Sequence, residues 1–186
     1  MREAPYRATD GKLCLFVTGG SQGAKILGET VPAAVISLPE ALRARLRVVQ
    51  QVREEQIAAV QALYDKAGVE SELKAFFSDM PERFRDAHLV VARSGAGTVS
   101  EIAAAGRPSV LVPLAIAMDE HQTANAESLV SAGAADGLSE ADFTEDSLAG
   151  LLLVRLEDTG DLARRAGNAK AAGTISAAGD LADIAE

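Results

Sequence analysis

The residues of this chain best suited to chemistry form a glycine-containing turn within residues 92–106. The segment reads Ala-Arg-Ser-Gly-Ala-Gly-Thr-Val-Ser-Glu-Ile-Ala-Ala-Ala-Gly, and it begins where the apolar run Leu89–Ala92 ends. A helix that starts at these glycines would present unpaired backbone N–H groups and the positive end of its dipole. Gly95 and Gly97 would let an anion approach without obstruction by a Cβ atom. The turn therefore predicts a phosphate site.

Two polar side chains extend this prediction to a nucleotide. Thr98 adds a hydroxyl at the helix start, and Glu101 places a carboxylate where the ribose hydroxyls would lie. An ordinary strand-to-helix turn fits the same residues, with Ser94 or Thr98 as the helix cap and Glu101 favoured by the dipole. This turn alone leaves both interpretations open.

A second glycine turn, Thr18-Gly-Gly-Ser-Gln-Gly-Ala24, follows the apolar run Leu13–Val17. The residues of this turn that could surround an anion are Gly19, Gly20, Ser21, Gln22 and Gly23. The same letters fit the G-x-S-x-G pattern of a serine hydrolase with Ser21 as nucleophile. That interpretation is disfavoured because the turn follows the first strand, no HGGG-type loop precedes it, and the base would have to be His88 or His121. Neither glycine turn matches a Walker or dinucleotide pattern.

A third segment, Pro113–Ala126, carries several neutral hydrogen-bonding side chains at the start of a predicted helix. The side chains concerned are His121, Gln122 and Asn125. Donors and acceptors without excess charge suit a polyhydroxyl ligand such as a sugar. A solvated helix start with Asp119 as its cap is the alternative.

The composition limits the class of protein. The chain has 186 residues, 48% of them hydrophobic, and a formal net charge of −9. It can bury a core of its own, and it lacks the basic face that nucleic-acid binding requires. No apolar run approaches the roughly 20 residues of a spanning helix, and the first ten residues lack a signal-peptide core, which predicts a cytoplasmic location. The one cysteine, Cys14, is expected to be a buried thiol, and the two histidines have no metal-ligand spacing, so we expect no metal.

Apolar runs that could be buried strands alternate with helical patterns. The predicted strands are Leu13–Val17, Leu46–Val49, Leu73–Phe77, Leu89–Ala92, Ser109–Val112 and Ala134–Leu138. The predicted helices are Ala24–Ser37, Glu54–Ala67, Pro81–Ala87, Thr98–Ala105, Glu120–Ala132, Leu148–Leu156 and Leu162–Ala171. This alternation predicts an α/β fold, a Rossmann-like doubly wound parallel sheet. Ligands of such sheets bind outside the carboxyl ends of the strands, so the glycine turns should share one crevice.

The three segments, in this order and spacing, closely resemble the donor-binding half of the MurG glycosyltransferases. The likeness runs from about Leu13 to about Ala135, with a looser match to the end. Members of that family move N-acetylglucosamine from UDP-GlcNAc to undecaprenyl-pyrophosphoryl-N-acetylmuramoyl pentapeptide in peptidoglycan synthesis. The resemblance implies an inverting GT-B enzyme with two Rossmann-like domains around a cleft and no bound metal or other cofactor. Residues 1–11 would then be an interdomain linker, and residues 12–186 the carboxy-terminal, donor-binding domain.

The resemblance also implies roles for individual residues. Ser21 and Gln22 correspond to the sugar-phosphate contacts, Thr98 to a phosphate contact and Glu101 to the ribose contact. Phe77 corresponds to the position whose backbone reads the uracil edge. The substrate-binding set is completed by His121, Gln122 and Asn125 on the sugar, and by Arg2, which corresponds to an interdomain arginine near the pyrophosphate.

Two departures from the family pattern concern the donor pocket. His121 stands where some members carry a second glutamine, and Gly97 replaces a larger residue and would loosen the base pocket.

A larger departure is that nothing here matches the amino-terminal half of the family. That half holds the lipid-linked acceptor, the membrane-contacting patch on the cytoplasmic face of the inner membrane and the general base. The resemblance therefore implies a partner domain, in cis or in trans, and no catalytic residue in this domain. A stand-alone UDP-sugar enzyme such as an epimerase is the alternative function.

Overall fold

The computed structural model describes residue 6 and residues 11–20, 25–114 and 120–184, with the backbone alone at residue 120 and residues 175–184. The strands are β1 (Leu13–Thr18), β2 (Leu46–Gln51), β3 (Glu70–Lys74), β4 (Leu89–Ala92), β5 (Ser109–Leu111) and β6 (Ala135–Gly137). The helices are α1 (Lys25–Ser37), α2 (Glu40–Arg43), α3 (Glu54–Lys66), α4 (Met80–Asp86), α5 (Ala96–Ala105), α6 (Glu120–Ser131), α7 (Glu145–Glu157) and α8 (Thr159–Ile184).

The strands form one parallel sheet in the order β3-β2-β1-β4-β5-β6. From β1 the chain builds outward in one direction through β2 and β3, and then returns to the other side of β1 with β4. The point where the order reverses therefore lies between β1 and β4, which is where doubly wound sheets bind ligands. The predicted α/β fold is confirmed.

Side-chain alternation along β1 divides the core into two layers. Leu13, Leu15 and Val17 pack in the layer that contains α1, α3 and α7. Phe16 points to the opposite layer, where it meets side chains of α4, α5 and α6. Successive residues of a strand face opposite sides of the sheet, so a strand covered on both faces must be apolar throughout. The run of apolar residues in β1 is continuous because both faces of this strand are covered.

The predicted strand Leu73–Phe77 is wrong, because the observed strand β3 is Glu70–Lys74. β3 is the outer strand of the sheet and pairs with β2 alone, so its side chains are largely polar. Phe77 lies after the strand, and its apolar character comes from the core. Its ring is 2% exposed and meets the ring of Phe16 edge-on, with 5.9 Å between the centroids.

The remaining elements agree with the sequence apart from their ends. The short helix α2 was not predicted, α5 begins two residues before the expected start at Thr98, and α8 extends well beyond Leu162–Ala171 at both ends. In the part of the chain that the structure describes, no helix is both long and apolar enough to cross a bilayer.

Helix α8 packs closely along α5. A Cβ atom on Gly173 would lie 2.9 Å from the carbonyl carbon of Ala103, so the two backbones approach at a distance that only glycine permits. The Lys170 ammonium donates to the Ala104 carbonyl near the carboxyl end of α5, at 2.9 Å. Gly106, with φ of 62°, then ends α5 in the left-handed conformation. These contacts position α5, the helix that follows the predicted phosphate turn.

Arg83 of α4 holds the segment that joins β3 to α4. Its guanidinium donates to both oxygens of Glu72 on β3, at 2.7 and 2.8 Å, and to Asp79 at 2.8 Å. The same guanidinium lies over the Phe77 ring, 4.9 Å from its centroid. Hydrogen bonds from Arg83 lower the pKa of the Glu72 carboxyl from its ordinary 4.5 to about 2.

We predict that Arg83→Met destabilises the fold near pH 6 by about 1 kcal/mol, since the lost pair is charge-assisted but partly exposed. A carboxyl whose pKa is lower in the folded state contributes stability above its ordinary pKa of 4.5, and the contribution fades as pH falls toward 2. The difference between the wild-type and variant unfolding free energies should therefore shrink between pH 6 and pH 3, as measured by urea denaturation.

Arg85→Met is the matched control for this prediction. Arg85 also lies on α4, but its ion pair with Glu82 is more exposed, so its loss should change stability little at either pH. An Arg83→Met difference that stays constant with pH would contradict the role assigned to Glu72.

Candidate binding site at the carboxyl edge of the sheet

The two glycine turns leave the sheet side by side. β1 and β4 are paired with Thr18 opposite Ala92, and the Arg93 N–H reaches the Thr18 carbonyl at 3.4 Å. Gly19 and Gly20 of the first turn thus neighbour residues 93–95 of the second. The two turns therefore lie together at the carboxyl edge of the sheet, as the sequence predicted. Ser21, Gln22 and Gly23, like Arg2, lie outside the described residues.

The first turn of α5 has no side-chain cap among the described residues. Gly95 is the N-cap, with φ of −61° and ψ of 145°, and the first intrahelical bond runs from the Val99 N–H to the Gly95 carbonyl at 3.0 Å. The alternative in which Ser94 or Thr98 caps this helix is therefore wrong. The N–H groups of Ala96, Gly97 and Thr98 precede that bond, and they point out of the helix end toward an anion.

The glycines at this helix end are not crowded by any described residue. A Cβ atom on Gly95 or on Gly97 would meet no described atom within 4 Å beyond its chain neighbours. Ser94, just before the N-cap, is fully buried, and its hydroxyl has no hydrogen-bond partner among the described residues. A buried hydroxyl without a partner costs free energy that a polar ligand could recover.

The first glycine turn is organised by a residue that the sequence did not single out. Gln51, at the end of β2, accepts from the Thr18 hydroxyl at 2.9 Å and from the Gly19 N–H at 3.3 Å. The Gly20 N–H in turn reaches the Thr18 hydroxyl at 3.3 Å, and Gly20 adopts φ of 76°, a conformation that favours glycine.

Arg93, within the second glycine turn, also organises the site, and the sequence did not single it out either. Its Nη1 atom donates to the carbonyls of Val112 and Pro113, both at 3.2 Å, and to Glu140 at 2.9 Å. The mostly buried guanidinium thus holds the start of the segment between β5 and α6 against the end of β4. The sequence marked Arg93 only as the arginine that precedes Ser-Gly in the second glycine turn. Its role could not be predicted because its hydrogen-bond partners are distant in sequence.

Helix α6 is attached to both neighbouring segments. Gln122 accepts from the Leu114 N–H at 3.1 Å, and Asn125 donates to the Ser94 carbonyl at 3.1 Å. Asn125 lies on the same helix as His121 and Gln122, and its bond to Ser94 also places it beside the predicted phosphate turn. The His121 side chain is exposed in the first turn of α6, and the Glu101 side chain is exposed in the second turn of α5.

The segment after β3 presents two phenylalanines differently. The ring of Phe77 is buried, which leaves its backbone as the part that a ligand could contact. The ring of Phe76 is 70% exposed, which is unusual for a large apolar side chain. No role for Phe76 was predicted from the sequence.

The other candidate base, His88, lies at the opposite edge of the sheet. Its Nδ1 atom accepts from the Cys14 N–H at 2.9 Å, and its carbonyl accepts from the Tyr6 hydroxyl at 3.0 Å. Gly20, which precedes Ser21 in the chain, is at the carboxyl edge. A hydrolase that pairs Ser21 with His88 is therefore wrong. Cys14 is half-buried, and burial raises the pKa of its thiol to about 11.

Groups of acidic, histidine and cysteine side chains that could hold a metal ion are absent from the described part of the chain. The carboxyl edge offers backbone N–H groups, hydroxyls, amides and the exposed Glu101 carboxylate. This donor set suits phosphates and hydroxyl-bearing ligands.

A parallel sheet of this order, with two glycine turns at its point of reversal, defines a Rossmann-like α/β domain. Residues 14–181 match the Glycosyltransferase family 28 C-terminal domain, and the chain belongs to this family. The resemblance found in the sequence is confirmed.

Named relatives narrow this assignment. The chain is 48% identical, over 97% of its length, to the UDP-N-acetylglucosamine–N-acetylmuramyl-(pentapeptide) pyrophosphoryl-undecaprenol N-acetylglucosamine transferase of Maricaulis maris. It is also 48% identical, over 98% of its length, to the protein of that name from Rhodospirillum centenum. The chain spans 50% and 49% of these relatives, so it corresponds to their carboxy-terminal half. Both relatives are named as transferases, which favours the predicted glycosyltransferase over the epimerase and hydrolase alternatives.

Solved structures agree with this assignment. The crystal structure of Acinetobacter baumannii MurG superposes with a TM-score of 0.79 at 36% identity, covering 90% of this chain and 49% of that one. WaaG, a glycosyltransferase involved in lipopolysaccharide biosynthesis, superposes at 0.67 with 22% identity, covering 90% of this chain and 44% of WaaG, a likeness of fold alone.

The uncapped start of α5 leads to a trade-off between stability and binding. Gly95→Asp would supply a capping carboxylate, and it should be about 1 kcal/mol more stable than Gly95→Ala in urea unfolding. The same carboxylate would occupy the N–H groups and repel an anion, so inorganic pyrophosphate should bind more weakly to Gly95→Asp than to Gly95→Ala. Equal pyrophosphate affinity in the two variants, measured by calorimetry, would show that α5 is not the anion site.

Proposed function

We propose that this chain is the donor-binding half of an inverting glycosyltransferase that moves N-acetylglucosamine from UDP-GlcNAc to undecaprenyl-pyrophosphoryl-N-acetylmuramoyl pentapeptide. The observation that carries the proposal is the uncapped start of α5 beside the Gly19–Gly20 turn, at the reversal point of the sheet. The relatives' names supply the identity of the donor and acceptor.

The nucleotide lies across the carboxyl edge of the sheet in this proposal. Its pyrophosphate occupies the helix end, where the N–H groups of Gly97 and Thr98 and the Thr98 hydroxyl donate to it. Glu101, one turn further along α5, accepts hydrogen bonds from the ribose hydroxyls.

The uracil ring lies against the segment after β3. The backbone of Phe77 reads its hydrogen-bonding edge, and the exposed ring of Phe76 offers an aromatic surface on which a base can stack. Stacking of a base on an aromatic side chain is worth about 1–3 kcal/mol. Stacking on the base would explain why a phenyl ring is exposed at this position.

The sugar lies toward α6, where Gln122 and Asn125 are held in place by their bonds to Leu114 and Ser94. Their amides, with His121 and with Ser21 and Gln22 of the first turn, recognise the hydroxyls and the sugar-phosphate linkage. Neutral amides suit this task because a sugar needs donors and acceptors more than charge.

The chemical contribution of this half is electrostatic. As the glycosidic bond breaks, negative charge develops on the departing UDP, and the helix end with its fixed N–H donors stabilises that charge. Transfer also requires an acceptor hydroxyl aligned with the anomeric carbon and a base to take its proton. Both are assigned to an amino-terminal partner domain, in cis or in trans, which also holds the lipid at the cytoplasmic face of the inner membrane.

Two substitutions should separate nucleotide recognition from sugar recognition. Glu101→Ala should weaken UDP and UDP-GlcNAc binding about equally, by about 1.5–3 kcal/mol for a lost charge-assisted bond. Gln122→Glu keeps an oxygen that can accept from Leu114 but replaces the amide nitrogen, so it should lower the affinity for UDP-GlcNAc relative to UDP. Repulsion from the introduced carboxylate acts more strongly on UDP, whose terminal phosphate carries more charge than the diester of UDP-GlcNAc, so repulsion alone would change the ratio in the opposite direction.

Calorimetric titration with both ligands measures these effects, and Glu127→Ala, an exposed change on α6, serves as the control. Unchanged UDP affinity in Glu101→Ala would remove Glu101 from the ribose site. An unchanged ratio in Gln122→Glu would do the same for Gln122 and the sugar.

The purified chain alone should transfer no sugar to a soluble analogue of the lipid-linked acceptor, because a donor site without an aligned acceptor and base lowers the barrier little. Addition of the amino-terminal half of a relative in trans should restore transfer of radiolabelled GlcNAc. Turnover by the chain alone that survives repurification and is abolished in Glu101→Ala would overturn the division of labour.

A further inference from the structure

We propose that Gln51 is a positioning residue that couples the phosphate turn after β1 to the base-binding segment after β3, so that phosphate and base are recognised together. This inference rests on the proposed binding of UDP. It assigns a role in donor specificity to a side chain buried below the site.

The amide of Gln51 connects both segments directly. Its oxygen accepts from the Thr18 hydroxyl and the Gly19 N–H, at 2.9 and 3.3 Å. Its nitrogen donates to the Gly20 carbonyl at 3.0 Å and to the Ala75 carbonyl at 3.2 Å. A glutamine amide has two donor hydrogens and two acceptor lone pairs, so these four bonds use its full capacity. Gln51 is 8% exposed, and its four hydrogen bonds hold the side chain in one conformation.

The location of Gln51 explains why it can act as a coupler. β1 and β3 are not neighbours, because β2 lies between them. The backbone ladder on the β3 side continues to the bond from the Val52 N–H to the Lys74 carbonyl, at 3.0 Å. Ala75 follows, and it directly precedes Phe76 and Phe77. One nitrogen, with its two hydrogens about 120° apart, therefore fixes the Gly20 and Ala75 carbonyls relative to each other.

The neighbouring glutamine provides an internal comparison. Gln50 is fully buried on the other face of β2, where it donates to the Leu27 carbonyl at 3.0 Å and accepts from the Tyr64 hydroxyl at 2.7 Å. Its partners belong to α1 and α3 in the core. Two residues of the same type, on the same strand and with similar burial, thus differ in whether their amide touches the site turns.

The test compares UDP and ADP, which share a diphosphate but differ in the base. Gln51→Glu is nearly isosteric and turns an oxygen toward two carbonyls, and Gln51→Leu removes every hydrogen bond. In both variants UDP affinity should fall about tenfold or more, and the preference for UDP over ADP should fall with it. Thr18→Val removes one bond to Gln51 and the bond from the Gly20 N–H. It should give a smaller change in the same direction, and it keeps the test valid if a Gln51 variant fails to fold.

Gln50→Glu is the matched control. It should lower the unfolding free energy yet leave the ratio of UDP to ADP affinity at the wild-type value, because a purely structural defect reduces both affinities alike. Folded Gln51 variants with the wild-type ratio would overturn the inference while leaving the proposed function intact. A wild-type chain that does not bind UDP would overturn the proposed function, and the inference with it.

A second measurement uses inorganic pyrophosphate alone. In the wild type, amide chemical-shift changes should appear at Gly19 and Gly20 and spread to residues 75–77. In Gln51→Leu they should remain at Gly19 and Gly20. Equal spreading in the variant would show that the coupling does not pass through Gln51.

Discussion

The parallel pairing of β1 with β4 is the constraint on which the site depends. It brings together two turns that are more than 70 residues apart in sequence, with Thr18 and Ala92 as the paired residues. From these strand ends the chain enters α1 on one face of the sheet and α5 on the other, because Leu27 and Ile102 belong to different core layers. Helices that leave adjacent strand ends on opposite faces of a sheet leave a crevice between their starts.

Helix α7 shows that this chain caps a helix where no ligand is expected. Thr144 and Ser147 bond each other's backbone N–H groups there, at 3.3 and 3.1 Å, and so form a capping box. At α5 the corresponding position is Gly95, and the adjoining Ser94 hydroxyl is buried without a described partner. The start of α7 is therefore capped by side chains, whereas the N–H groups at the start of α5 have no such partner. Helices α2, α3 and α4 also lack a side-chain cap, so α5 is distinguished by its glycines and by its place at the reversal point of the sheet.

Local patterns in the sequence predicted the features with local causes. The run of β1, the glycine turn before α5 and the polar start of α6 could be found because each is a short contiguous segment. β3 was misplaced because an outer strand is half solvated, whereas Phe77 is apolar for reasons of core packing. Gln51 and Arg93 were missed because their partners lie 19 to 47 residues away in sequence and are brought close only by the order of the strands in the sheet.

The alternation of side chains along β2 has a consequence for how such a domain can evolve. Gln50 and Gln51 are consecutive in the chain, yet Gln50 forms hydrogen bonds within the core and Gln51 forms hydrogen bonds to the turns at the sheet edge. Mutations at the two positions therefore meet separate selective pressures, since the pleat isolates one face from the other. A lineage could change the turns at the sheet edge through residues on one face of this strand and keep the core contacts on the other face unaltered.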